Sequence, residues 1–140
     1  MNENFTIHDK LATLSLFGLG VFVDIRGVYW LISQERVINE SDFYRALNEV
    51  MPIWFWGLLL LVFGTCLILS SLLFGKRSIN NCSSHFMLIG GLGSSIIHFL
   101  MSSASVYNAI NWLTPAQLIA ITAWLGFVGF LGGLGIYERR

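Results

Sequence analysis

Four long apolar stretches, separated by short polar ones, organise the chain. They cover residues 11–33, 52–74, 84–107 and 115–137, and each meets the roughly 20 residues of helix needed to cross the hydrocarbon of a bilayer. The connectors are a polar loop over 34–51, GKRSINNCS over 75–83 and NAINWLT over 108–114. This pattern predicts an all-α membrane protein, a four-transmembrane-helix bundle that makes a single integral membrane domain of residues 1–140. Within the first loop the spacing turns helical. Ser41 is a candidate cap, Asp42 suits a helix N-terminus and Pro52 closes the segment. Phe43, Ala46, Leu47 and Val50 then share one face, opposite Asp42, Arg45, Asn48 and Glu49. A short amphipathic helix over about 41–51 is expected, lying on the membrane surface or over the bundle mouth.

Composition sharpens this picture. The 140 residues are 55% hydrophobic and 11% charged, against about 25% charged in a soluble domain. Formal net charge is +0, so no basic surface argues for nucleic acid. Lys10, Lys76, Arg77, Arg139 and Arg140 fall on one side of the bundle, and Arg36 and Arg45 fall on the other beside Glu35, Glu40, Asp42 and Glu49. Both termini are therefore expected in the cytoplasm, in a cell (inner) membrane, with the acidic first loop outside. Trp30, Trp54, Trp56 and Trp112 would lie near the outer interface. The opening MNENFTIHDK lacks a basic n-region, so the first apolar stretch is expected to stay as a span. Cys66 and Cys82 are far apart and no CxxC or His/Cys grouping occurs, so no metal or cofactor is implied.

Polar residues inside the spans are the candidate chemistry. Asp24 and Arg26 sit two positions apart, so they point to nearly opposite sides of the first helix and cannot pair within it. Asp24 shares a face with Thr13, Gly20 and Gly27, small residues that mark helix contacts, and is expected to point into the bundle. Arg26 shares a face with Phe22, Tyr29 and Trp30, about 9–10 Å below the end of its span. There it is read, with Tyr29 and Trp30, as an interface anchor that snorkels outward. In the third span Gly91, Ser94, Ser95, His98, Ser102 and Ser105 form one small, polar seam.

Asp24 and His98 lie at similar depth, so an intramembrane Asp24–His98 pair is expected. It would offset the ~2.5–3.5 kcal/mol cost of inserting a carboxylate. Two roles stay open for it, a proton relay and a purely structural hydrogen bond, with the structural one preferred. In the fourth span Gly126, Gly129 and Gly133 lie along one face and include a Gly-xxx-Gly signature for close packing. The second span is bulky nearly all round and is expected to face lipid.

LFGLGVFVDIRGVYWLI and SDFYRALNEVMPIWFWG resemble the small four-span membrane proteins encoded in bacterial phages and prophages. The resemblance is one of size, layout and local flavour; it brings no catalytic or binding motif and transfers no residue roles. Three functions are open. The preferred one is a non-enzymatic, self-associating membrane protein, possessing holin-like permeabilising activity. Its partners would be the lipid bilayer and further copies of itself (a homo-oligomer) or another membrane protein. A superinfection-exclusion or immunity protein acting through the first loop is the second. The third is a small-solute or proton-coupled transporter using Asp24, as small multidrug exporters use a first-span carboxylate. Theirs is a glutamate, and the rest of their pattern is absent here.

Overall fold

The structure, a computed structural model, describes residues 6–40, 42–74, 80–108 and 112–138. The Ser41 cap, the Phe43 side chain and Lys76, Arg77, Arg139 and Arg140 of the charge count lie outside the described residues. The chain forms helices α1 (Ile7–Ile32), α2 (Gln34–Glu40), α3 (Asp42–Val50), α4 (Ile53–Leu73), α5 (Asn80–Asn108) and α6 (Leu113–Tyr137). Helices α1, α4, α5 and α6 are long and apolar enough to cross a membrane. The fold is thus an all-α, four-span bundle. A capping box starts α1: the Thr6 hydroxyl accepts from the Asp9 backbone N–H, and the Asp9 carboxylate accepts from the Thr6 N–H.

The spans pack as a row rather than a closed ring. Helix α1 lies on α4, α4 on α5 and α5 on α6, while α1 makes at most marginal contact with α5 or α6. Glycines set the first of these contacts. Gly20 and Gly27 of α1 meet Gly64 and Gly57 of the antiparallel α4, with the same seven-residue spacing on both helices. A Cβ at Gly27 would stand 2.7 Å from the Gly57 carbonyl oxygen, and one at Gly20 would stand 2.9 Å from that of Gly64. The α5–α6 seam is equally close: a Cβ at Gly129 would lie 2.7 Å from the Leu92 nitrogen, and one at Gly132 2.6 Å from that of Leu88. Gly133, by contrast, meets only a Leu88 methyl at 3.5 Å. The close contact therefore runs through Gly129 and Gly132, and Gly133 stands beside it.

Helix α4, expected to face lipid, is instead flanked by α1 and α5 and buries Gly57, Leu60, Gly64, Leu67 and Ser70. Bulk does not choose a lipid-facing helix, because hydrocarbon tails are as apolar as leucine and small residues decide where backbones approach. Helix α6 buries the smallest share of its span. A reciprocal serine clasp joins α4 to α5: the Ser70 hydroxyl donates to the Ser83 carbonyl and the Ser83 hydroxyl to that of Ser70, both at 2.9 Å.

The loop over 34–51 holds two helices rather than one, and α3 sits over the bundle mouth against α4 and α5. Its inward face is rotated from the expected one. Leu47 is buried and Tyr44 half-buried against Trp30, while Val50 is exposed. The reason lies in α4, whose Trp56 is buried and donates its indole N–H to the carbonyls of Met51 (3.0 Å) and Leu47 (3.3 Å). Asn48 adds a cap, its Oδ1 accepting from the Ile53 N–H at 3.1 Å. Trp56→Phe keeps the ring but removes the donor. Hydrogen exchange over residues 42–51 is expected to speed up severalfold in that variant, with the spans unchanged. Unchanged exchange would show that packing alone holds α3.

Candidate site: a polar interior beneath the α2–α3 end

Asp24 and His98 are not brought together. Asp24 points along the α1–α4 seam, where its Oδ2 accepts a long 3.5 Å hydrogen bond from Thr65 and its carboxylate lies where a Gly64 side chain would be. Its Oδ1 is buried with no hydrogen-bond partner. The cause is the face that Asp24 occupies: it looks onto Gly64 and Thr65 of α4, the helix α1 packs against, and away from α5. Equal depth did not put Asp24 and His98 on facing sides.

Arg26 also departs from its expected place. Its Nη1 is buried without a hydrogen-bond partner, and the guanidinium lies 5.4 Å from the centre of the Phe22 ring. That contact is a cation–π interaction one helical turn away. Trp30, the expected companion anchor, is 1% exposed and packs edge-on to Tyr44 with ring centres 6.0 Å apart. Trp56 is likewise internal, whereas Trp54 and Trp112 are exposed. Tyr29 stays at the surface. Helix α3 explains the inversion, because it covers the end of the bundle and converts an interfacial position into an interior one.

The residue that shares Arg26's surroundings is His98. The ring is fully buried, its Nδ1 donates to the Ser94 carbonyl at 2.8 Å, and its Nε2 has no partner. A carbonyl only accepts, so in the neutral ring Nε2 presents a lone pair. The Arg26 guanidinium is within electrostatic reach of this ring, and of Tyr44. An unpaired donor and an unpaired acceptor thus occupy one region beneath α3. No described carboxylate stands within ion-pair distance of Arg26.

Beside it opens a cavity of about 470 Å³, lined by Phe22, Arg26, Tyr44, Thr114, Gln117 and Trp124 among others. The rest of the α5 seam is structural. Ser95 donates to the Thr122 carbonyl at 2.9 Å, Ser105 donates to that of Ser102 at 2.8 Å, Gly91 packs on Gly129, and Ser102 is buried. Gly126 accommodates the Ser95 hydroxyl. Ser94 is the exception, its buried hydroxyl having no partner. Gln117, Thr114 and Tyr44 escaped the sequence reading because each lies at a helix end or in the loop, where polar residues are ordinary.

The fold defines a multi-pass membrane protein. No protein-family model, curated protein or solved structure matches the chain, so its function is read from this interior.

Proposed function

We propose that the protein is a non-enzymatic, multi-pass protein of the cell membrane that binds an anionic ligand, a carboxylate or phosphate, beside Arg26. One observation carries this reading: Arg26, whose Nη1 is buried and unpaired, lines a cavity of about 470 Å³ with no described carboxylate to balance it. Burying an ion without a partner costs several kcal/mol, and intramembrane ionisable residues mark ligand paths by default. The guanidinium fork matches a carboxylate or phosphate with two parallel hydrogen bonds. Gln117 and Thr114 line the same space and supply further polar contacts.

The test is oxyanion binding by the purified protein in a neutral detergent. Titration calorimetry would use acetate, inorganic phosphate and their long-chain counterparts. At least one of these is expected to bind wild type, at least tenfold more weakly in Arg26→Gln, and with partial retention in Arg26→Lys. Binding that ignores Arg26→Gln, or no binding of any oxyanion, overturns the reading.

Self-association, with or without holin-like permeabilisation, keeps one support. The edge between α1 and α6 is unsealed, and Gly18 on α1 has nothing within 4 Å of a would-be Cβ. The other glycine seams are consumed within the chain. Cysteine cross-linking at Gly18→Cys in membranes tests it, and a monomer at every concentration would count against it.

A further inference from the structure

The Arg26 cavity is not alone on its side of the bundle. A second cavity of about 350 Å³ lies further along the unsealed α1–α6 edge, lined by Leu16, Leu19, Met87, Val128 and Leu131. Trp124 lines both. Chemistry changes along the length: Arg26, Gln117 and Thr114 lie at the α2–α3 end, and beyond Trp124 the lining is mostly apolar, with Ser15 and Ser84 as its polar members. From Arg26 to Ala12, at the far end of the second cavity, α1 rises about 21 Å. That is the reach of a long acyl tail.

We propose that the two cavities join into one cleft that holds an anionic membrane lipid, its phosphate headgroup on Arg26 and an acyl tail along the α1–α6 edge past Trp124. The inference rests on the anion-binding reading and names the ligand class. Tyr44 of α3 and Thr114 and Gln117 of α6 line the polar end of the cavity. Two observations select a lipid over a solute from water. The lateral rim is made by Phe22 of α1 with Ala120 and Trp124 of α6, side chains exposed at the depth of the spans. A headgroup reaching Arg26 from the side also leaves its tail in contact with apolar wall, which a small hydrophilic anion could not use. Charge complementarity fixes the head end, and apolar burial, worth about 25 cal/mol per Å², fixes the tail.

Native mass spectrometry of the detergent-purified full chain tests this, with phosphatidic acid and phosphatidylcholine of identical tails as probes. One phosphatidic acid is expected per chain, retained at least tenfold better than phosphatidylcholine. Arg26→Gln should abolish that preference and Arg26→Lys should keep part of it. Ser15→Trp, or Ala12→Phe should the first not fold, fills the far end of the cleft. Either should weaken a long-tailed phosphatidic acid severalfold and leave the dihexanoyl form unaffected. Equal retention of both lipids overturns the proposal, as does indifference to the cleft-filling variants. Displacement of the lipid by an equal concentration of oleate would move the source to a free acyl anion and overturn the lipid assignment. Inorganic phosphate binding as tightly as phosphatidic acid would overturn it too, while leaving the anion site standing. Failure of every oxyanion to bind overturns both.

Discussion

Gly27→Ala is expected to destabilise the bundle by about 2–3 kcal/mol, the upper part of the range for overpacking a well-packed interior. The new Cβ would stand 2.7 Å from the Gly57 carbonyl oxygen and 3.0 Å from the Leu61 nitrogen. Both obstacles are backbone, so no rotamer change relieves them and the helices must part. Separating α1 from α4 also lengthens the Gly20–Gly64 contact one repeat away, where a Cβ would stand 2.9 Å from carbonyl oxygen. Gly18→Ala on the same helix is the control. Nothing lies within 4 Å of its Cβ, so it is expected to be neutral, or stabilising by up to about 1 kcal/mol from helix propensity. Equilibrium unfolding of the two variants in mixed micelles separates these outcomes. Equal midpoints would remove the glycine seam from the account.

Arg26→Met is expected to stabilise the ligand-free protein by about 1–4 kcal/mol, the gain seen when apolar side chains of similar volume replace buried charges. Its sign distinguishes two roles. An arginine that merely held the fold together through a partner would cost about 3–5 kcal/mol on removal. Here Nη1 is buried unpaired, and the neighbouring His98 presents an unpaired nitrogen rather than a carboxylate. Bound anion should shift the ranking toward wild type, because a ligand at 100 times its Kd adds about 2.7 kcal/mol to wild type alone. Thermal unfolding of both proteins, stripped of lipid and then with phosphatidic acid added, reads the two effects. Destabilisation by Arg26→Met in both conditions would make Arg26 structural and sink the anion-binding reading.

These predictions rest on residues whose sequence meaning was uneven. Gly20, Gly27 and Gly129 were legible as packing positions, because a residue without a side chain at helical spacing has few other uses inside a membrane. Gly57 and Gly64 were hidden by the leucines around them, although they repeat the seven-residue spacing of α1 in the opposite direction. Ser70 and Ser83 were hidden too, since one clasp draws on two different spans. The Asp24–His98 expectation compared depths, which the helix rise fixes, and assumed adjacency, which it does not. Arg26 was assigned outward because nothing in its own helix revealed that a separate short helix covers that end.

The sequence by itself determined the spans, their number and the existence of an amphipathic helix between the first two. Hydrophobic length and helical periodicity are local properties, and the bilayer selects on them span by span. It also marked the ionisable residues that need explaining, since any charge in a membrane segment has a desolvation cost wherever it points. Only the tertiary structure decided that the spans form an open row, that Asp24 faces Thr65 on α4, and that Arg26 turns inward toward His98 and a lateral cavity. Which helices become neighbours depends on matching small residues on separate segments, and that matching is a property of pairs of segments that no single span contains.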